Sequence, residues 1–521
     1  KECVVRSSAR SVVVARLLRH IVADAHAPTH ALCSPMDGSL LAHVPHVSTE
    51  AVCRAAATAR AAQRAWTKTS LRERARVLIR FHDLLLARRE EVLDLIQLET
   101  GKARRDAYEE ALDAAICARH YAYHGASILR RQRRRGVIPG LTATWEQHLP
   151  FGLVGFISPW NYPLSLSITD ILPALLAGNA ALLKPDQQTP LTALWAVDLL
   201  VEAGLPSGLI AVATGSGREL GPTLISQVDF ICFTGSTATG RLVARQAGER
   251  LIGCSLELGG KNPLIIFDDA DVNRAVEGAV RACFSNTGQL CISTERAYVQ
   301  RGLYDRFSRA LVDRTARLRL GVDFDPDTEI GSLASAEQLA KVTDHVSGAV
   351  AAGARVLVGG RARPDLGPLV YEPTVLTGVT SDMAVYADET FGPVVALYPF
   401  DTIDEVVAAA NASPYGLNAS VWSRNTYAAM ALAGRLQVGT VNINDAYAAT
   451  WGSVDAPMGG MKDSGLGRRH GAVGILKYTE AQTIAVQRLL SIGAPRGVRE
   501  MTYERVMGWL MRLLRYLPGL R

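Results

Sequence analysis

The chain has no long apolar run: no window of roughly 18 consecutive apolar residues occurs, so nothing in it reads as a membrane span. It has no CxxC pair and no zinc-finger spacing. Its eight cysteines are scattered, at 3, 33, 53, 117, 232, 254, 283 and 291. That pattern predicts free thiols in a reducing compartment, the cytoplasm, and no metal site. A net charge of +6 over 521 residues, with no aromatic-studded basic face, predicts no nucleic-acid partner. The short apolar stretch Val12 to Leu18 is interrupted or flanked by Arg10, Arg16 and Arg19 and has no small-residue cleavage site, so no signal peptide is read. There is no internal repeat, no low-complexity tract and no GxGxxG fingerprint. What remains, 48% hydrophobic and 20% charged, is the composition of a folded chain large enough for two or more domains.

Residues 1–48 show no clear pattern. From Thr49, Val52, Ala55, Ala56, Ala59, Ala62 and Trp66 recur at helical spacing. Ser70 and Glu73 read as a capping box that opens a helix ending near Glu99-Thr100-Gly101. Another helix runs to about Leu129. The run Arg130 to Arg135 reads as a solvated surface stretch. From 151 the chain alternates short apolar strands (Leu153–Ile157, Ala180–Leu183, Ile210–Ala213, Phe230–Phe233, Ile252–Leu256) with helices at about 164–177, 190–203, 216–225 and 237–248. This alternation predicts a parallel sheet with ligands at the carboxyl ends of its strands. A second α/β run spans 262 to about 446, with strands near Leu264–Phe267, Ala297–Val299 and Val438–Ile443. Pro457 to Arg468 reads as a tight glycine-rich loop, Lys477 to Ala485 as an exposed edge strand, and Thr502 to Leu517 as an amphipathic basic helix.

Two stretches carry chemistry. Ser285-Asn286-Thr287-Gly288-Gln289-Leu290-Cys291-Ile292-Ser293 puts one cysteine on a helix-to-strand connector. Leu256-Glu257-Leu258-Gly259-Gly260-Lys261 puts a lone carboxylate at the end of an apolar strand. Taken alone, each residue is ordinary: a loop cysteine is an apolar filler and a strand-end glutamate faces solvent. Together they supply a nucleophile and a base, and Asn161, inside Pro159-Trp160-Asn161-Tyr162-Pro163, adds an amide able to hold oxyanion charge. In place of the absent GxGxxG fingerprint stand Gly215-Ser216-Gly217, running on to Gly221, and Phe233-Thr234-Gly235-Ser236, running on to Gly240; the second joins a strand to a helix whose free N–H groups could face a pyrophosphate.

These motifs, together with Lys184-Pro185, Glu389-Thr390-Phe391-Gly392-Pro393 and the 457–468 loop, resemble the aldehyde dehydrogenase superfamily from about residue 30 to 490. The texture is similar to the branch named succinate-semialdehyde dehydrogenase (NADP+). The resemblance implies an α/β, aldehyde dehydrogenase-like fold of two Rossmann-type parallel α/β domains plus a small oligomerisation β-element. Its implied segments are a helical part of the cofactor-binding domain at 30–136, an oligomerisation segment at 137–150 and a Rossmann-type core at 151–258. A catalytic domain at 259–446, a returning segment with the oligomerisation strand at 447–490 and a C-terminal tail at 491–521 complete it. The implied activity is oxidation of an aldehyde to its acid. Cys291 would form a thiohemiacetal and then a thioester, Asn161 and the Cys291 backbone N–H would hold the oxyanion, and Glu257 would activate the hydrolytic water. Ile157, Ser158, Trp160, Lys184, Gln187, Gly215, Gly217, Phe233, Thr234, Gly235, Ser236, Gly240, Leu258, Glu389 and Phe391 would bind the cofactor.

Two departures matter. Gln187 stands where the family often has a glutamate on the ribose 2′-hydroxyl of NAD. A neutral side chain there removes repulsion against a 2′-phosphate, so NADP+ is expected to be accepted and slightly favoured over NAD+. Thr169 and Ser285 stand where well-defined succinate-semialdehyde dehydrogenases carry two arginines for the distal carboxylate. With Tyr162, Leu166, Leu290, Ile292, Tyr447 and Trp451, they are expected to line the substrate pocket and to suit a medium apolar or aromatic aldehyde. Succinate semialdehyde is the alternative, and a CoA-acylating enzyme, which would replace Glu257, a weaker one. A homodimer or dimer of dimers is expected. Docking of the tail on its own oligomer is favoured over peripheral membrane contact.

Overall fold

The computed structural model describes residues 12–136, 142–487 and 493–516. After a helical stretch at 12–18, the N-terminal part forms an antiparallel hairpin, β1 (Thr29–Cys33) and β2 (Leu40–Pro45). Four helices follow: α1 (Thr49–Trp66), α2 (Leu71–Ala87), α3 (Arg89–Thr100) and α4 (Arg104–Ile128). The Ser70–Glu73 capping box is formed in both directions. The single helix expected to run from Ser70 to Glu99 is instead two, broken at Arg88, whose side chain bonds Glu91 and Glu202.

The first sheet has six strands in the order β19-β9-β8-β5-β6-β7. Its parallel members are β5 (Leu153–Ile157), β6 (Ala180–Lys184), β7 (Ile210–Val212), β8 (Phe230–Thr234) and β9 (Gly253–Glu257). The chain leaves central β5 toward β6 and β7, then returns to its other side for β8 and β9. The strand order therefore reverses between β5 and β8, where Ile157-Ser158-Pro159 and Thr234-Gly235-Ser236 diverge and open a crevice. The crossover helices are α5 (Pro163–Ile168) with α6 (Ile171–Ala177), then α7 (Pro190–Glu202), α8 (Gly217–Gln227) and α9 (Thr237–Glu249). The helix expected at 164–177 is split at Thr169–Asp170. Pro173 sits in the first turn of α6, where its missing N–H costs nothing, and the Asp170 carboxylate is drawn to Arg469, Lys477 and Tyr478.

The second sheet has seven strands, β12-β13-β14-β11-β10-β16-β17. Its core is parallel: β10 (Asn262–Ile266), β11 (Thr294–Gln300), β13 (Thr374–Thr377), β14 (Val394–Phe400), β16 (Asn418–Trp422) and β17 (Thr440–Ile443). Exposed β12 (Arg355–Val358) adds to its edge antiparallel. Helix α10 (Val272–Phe284) packs on this sheet and delivers the chain to Cys291. Short strands β15 (Tyr415–Gly416) and β18 (Met461–Lys462) pair with each other, and β19 (Gly465–Leu466) pairs with the end of β9, so the glycine-rich loop is stitched beside Glu257.

A third, antiparallel sheet joins β3 (Gln132–Arg134), β4 (Thr142–Pro150) and β20 (Thr479–Gln487). The arginine run contributes here: Arg131 and Arg133 lie over the Trp145 ring at 4.6 and 5.4 Å, and Arg134 pairs with Glu146 at 2.6 Å. A last helix, Glu500–Leu514, has no buried residue. Leu517, expected at its end, lies outside the described residues. Among those residues no helix is long and apolar enough to cross a membrane.

Candidate active site

Two adjoining cavities lie at the carboxyl ends of the first sheet. The smaller, about 200 Å³, brings together Asn161, Leu166, Glu257, Cys291 and Glu389 under the Trp160 and Phe391 rings. The larger, about 780 Å³, runs from Trp160 past Lys184 and Gln187 to Arg218 and Arg245. Both are lined by Pro159, Trp160, Thr234, Gly235 and Ser236, so they form one continuous cleft.

Cys291 sits on the loop entering β11. The Asn262 side chain holds its carbonyl at 2.7 Å and that of Ser293 at 2.7 Å. Upstream, Asn286 and Thr287 both adopt positive φ, 51° and 56°, which turns the chain sharply. That conformation is costly for non-glycine residues. It is held by the Asp106 carboxylate, which accepts the Asn286 N–H at 2.9 Å. Gly288 is required as well: a Cβ there would lie 2.0 Å from the Gly392 carbonyl oxygen. Burial pushes the Cys291 thiol up to about 12, with the Glu257 and Glu389 carboxylates adding to the effect and Arg469 opposing it.

Glu257 ends β9, opposite Gly465, and is buried. Its Oε1 has no hydrogen-bond partner among the described residues. Burial raises its carboxyl to about 7, against the pull of Arg469 and Lys477. These cations form a buried cluster with Asp170, which they hold below the ordinary carboxylate range despite its burial. Asn161 is fixed from both sides. Its side-chain amide donates to the Gln289 carbonyl at 3.0 Å, and its backbone carbonyl accepts from the Lys102 ammonium at 2.7 Å and the Asn286 amide at 3.0 Å. Lys102 pairs with Glu110 at 2.6 Å, both side chains fully buried, and the other Glu110 oxygen accepts the Leu164 N–H at the start of α5 at 2.8 Å. Nothing local in the sequence marked Lys102, Asp106, Glu110 or Asn286, apart from the helix-stop glycine Gly101 beside the first.

The larger cavity has the features a dinucleotide needs. Lys184, at the end of β6, is buried, and among the described residues its Nζ donates to the Pro185 carbonyl alone, at 3.1 Å. It lies beside Gly217 at the start of α8. Ser236 caps α9 by accepting the Thr239 N–H at 3.3 Å, and side-chain-free Gly235 lets the chain pass close to the cleft. Ile157, Ser158, Gln187, Phe233 and Thr234 line it too. Glu389 accepts the Gly260 N–H at 2.8 Å, burial lifts its carboxyl to about 7, and Phe391, at φ 55°, meets Trp160 edge-on at 5.6 Å. Glu295 holds that turn by accepting the Thr390 and Phe391 N–H groups. Leu258 borders the smaller cavity. Arg218 and Arg245 were not anticipated; both are exposed arginines on the cleft wall.

Several expected residues do not line either cavity. Gly215 precedes the α8 N-terminus, and Gly240 serves helix-on-strand packing, since a Cβ there would strike Leu258 at 2.4 Å. Leu290 and Ile292 point into the core of the second sheet. Thr169 turns away: its hydroxyl donates to the Ser165 carbonyl at 2.7 Å and accepts from Arg469. Ser285 is buried beside Tyr447. Beyond Leu166, Tyr162, Tyr447 and Trp451 do form an aromatic group. Trp451 meets Tyr162 at 6.2 Å and Tyr447 at 6.4 Å, both edge-on. The Tyr162 hydroxyl is buried and has no hydrogen-bond partner among the described residues. The Tyr447 hydroxyl donates to Glu109 at 2.8 Å, and Arg281 bonds Glu109 at 2.5 Å.

The model of the aldehyde dehydrogenase family matches residues 21–484. A Mycolicibacterium smegmatis protein named "Putative succinate-semialdehyde dehydrogenase (NADP+)" is 49% identical over 482 residues, 92% of this chain and 93% of that one. The structure of a Bacillus cereus aldehyde dehydrogenase with NAD+ superposes with a TM-score of 0.84 at 36% identity, covering 88% of this chain and 93% of that one. A variant of the P. syringae AldA indole-3-acetaldehyde dehydrogenase, solved with NAD+ and IAA, gives 0.85 at 33% identity, covering 89% and 94%.

Proposed function

This chain belongs to the aldehyde dehydrogenase family, and from that premise we propose that it oxidises an aldehyde to its carboxylic acid with NADP+ or NAD+, through a Cys291 thioester that Glu257-activated water releases. The observation that carries the reading is the convergence of Cys291, Glu257, Asn161 and Glu389 on one small cavity that opens into a cleft of dinucleotide size.

The thiol is a poor nucleophile as it stands, because burial and two carboxylates disfavour the thiolate. It needs a base, and of the two carboxylates in the cavity Glu389 is engaged by the Gly260 N–H, whereas Glu257 has an uncommitted oxygen among the described residues and is poised near neutrality. Cys291 Sγ loses its proton to Glu257 as it attacks the carbonyl carbon, and the oxyanion forms beside the Asn161 amide and the backbone N–H of Cys291. When bound, the nicotinamide supplies the acceptor for the hydride that turns the thiohemiacetal into a thioester. The proton on Glu257 passes to solvent, and the freed carboxylate takes one from water as the water oxygen attacks the thioester carbon; the C–S bond then breaks, the acid leaves, and the proton on Glu257 returns to the Cys291 sulfur to restore the thiol. Lys184, Gln187, Ser236 and Glu389 would hold the dinucleotide, and Trp160 and Phe391 its nicotinamide end. The larger cavity fits such a ligand in size and in the two helix N-termini it exposes. Gln187 and the cationic wall of Arg218 and Arg245 suit a 2′-phosphate, favouring NADP+.

Neutral Thr169 and Ser285, with Leu166, Tyr162, Tyr447 and Trp451 beyond the cysteine, favour a medium apolar or aromatic aldehyde; the P. syringae relative is named for indole-3-acetaldehyde. Succinate semialdehyde is the second reading, favoured by the name of the M. smegmatis relative. Arg281 could serve it, since it lies one helical turn before Ser285 on α10, but it is already paired with Glu109. The test is initial-rate NAD(P)H formation with succinate semialdehyde, a straight-chain series, benzaldehyde and a betaine aldehyde, with Cys291→Ala as blank. Highest kcat/KM on apolar or aromatic aldehydes supports the first reading. Highest kcat/KM on succinate semialdehyde assigns the second.

A further inference from the structure

The C-terminal helix takes no part in the site. It spans Glu500–Leu514, and none of its residues is buried. It shares no extensive contact with any other named element. Much of its apolar surface stands in solvent: Trp509 is 62% exposed, Val506 55% and Tyr516, just beyond it, 70%, while Tyr503, Met507, Leu510 and Leu514 are half-buried. At about 100° per residue, Tyr516, Trp509, Leu513, Val506, Leu510, Tyr503, Leu514, Met507 and Met511 follow one another around an arc of roughly 220°, interrupted by Thr502 and, near its far edge, by Glu500. The remaining arc carries Glu504, Arg515, Arg512 and Arg505. The described stretch from Arg496 to Tyr516 holds five arginines (496, 499, 505, 512 and 515) against Glu500 and Glu504, a net charge of +3.

We propose that this helix docks on the surface of an anionic phospholipid bilayer, lying in the plane of the interface. Charge complementarity selects this occupant. Within the helix Arg505 and Arg512 balance Glu500 and Glu504, but Arg496, Arg499 and Arg515 at its two ends make the stretch cationic, and the whole chain is at +6, so pairing with the same stretch of a second copy brings like charge together. The arc is also wider than one protein face covers, whereas a helix sinking into the acyl boundary can bury it. Arg505 and Arg512 flank the apolar arc beside Trp509 and Tyr516. That order, with indole and phenol at the headgroup level and guanidinium outside them, suits an interface.

The test is flotation of the full-length protein with vesicles of phosphatidylcholine alone or mixed with phosphatidylglycerol. The expected result is co-flotation with the mixed vesicles, weak binding to the neutral ones, and release by added salt. Leu510→Glu with Leu513→Glu abolishes flotation, and Arg505→Ala with Arg512→Ala weakens it roughly tenfold or more. Aldehyde turnover in both variants reports that the rest of the chain is folded. Flotation that ignores lipid charge, or that survives the glutamate pair, overturns the proposal. So does failure of the unaltered protein to float, including the case in which the glutamate pair changes only the oligomer size in light scattering and so assigns the helix to a second copy.

Discussion

Replacing Glu257 by Gln perturbs two properties whose pH dependence is linked. In the native protein burial holds this carboxyl near 7 instead of the ordinary 4.5. Below the unfolded value both states are protonated and the group contributes nothing. Between there and about pH 7 the unfolded chain ionises while the native one does not, so native stability falls as pH rises, and above pH 7 the loss is complete. A rise from 4.5 to about 7 corresponds to about 3 kcal/mol. Glutamine keeps the shape and never ionises. Denaturant unfolding should therefore find Glu257→Gln level with the unaltered protein at about pH 3.5, within about 1 kcal/mol of it at pH 5, and more stable by up to about 3 kcal/mol at pH 8. Turnover moves the opposite way. With a base near 7, hydrolysis-limited kcat rises about tenfold from pH 6 to pH 8, whereas Glu257→Gln should be nearly inactive at both. A variant less stable than the parent at pH 8, or a stability difference that does not change with pH, would refute the reasoning.

Lys102→Met removes an ammonium from the Asn161 carbonyl and leaves Glu110 buried without its partner. It should cost about 3–5 kcal/mol in stability and about tenfold or more in kcat, and adding Glu110→Gln should restore much of the stability but not the rate. Asn161→Ala should lower kcat by about 10²–10³. It should also mask any further rate loss from Lys102→Met, a double-mutant cycle in steady-state kinetics that an additive result would contradict. Arg218→Ala should lower kcat/KM for NADP+ about tenfold or more and leave NAD+ nearly unchanged. Iodoacetamide labelling of Cys291, followed by peptide mass spectrometry, should still climb about tenfold per pH unit between pH 8 and 10; a plateau near pH 8 would contradict the raised thiol.

The strands of the first sheet were legible because they are short, apolar and bounded by glycines. β5, β6 and β8 were placed within a residue of where they lie. The capping box at Ser70 and Glu73 was equally plain, since both partners lie within four residues. The hairpin at 29–45 was not, because Leu32, Ala42 and Val44 are buried while Ala31, Cys33 and Leu40 are exposed, so apolar residues stand on both faces and mark neither. β12 is almost wholly exposed and so carries no burial pattern at all. The same distinction runs through the site. Cys291, Glu257 and Asn161 stand in recognisable local stretches. Lys102 acts on a carbonyl 59 residues away, Glu110 caps a helix 54 residues on, and Arg469 reaches back to Asp170 across the fold. Those roles exist only after folding. Thr169 and Ser285 were assigned by position along the chain, and the break between α5 and α6 turned Thr169 toward Arg469 instead.

The most direct measurement is mass spectrometry of Glu257→Gln after rapid mixing with NADP+ and an aldehyde it accepts. The account predicts that Cys291, also deprived of its base, reacts slowly, that NADPH formation stops at one equivalent, and that the acyl group remains on the peptide carrying Cys291 because the water lacks its base. An unmodified Cys291 after one equivalent of NADPH, or continued turnover at the parental rate, would contradict it.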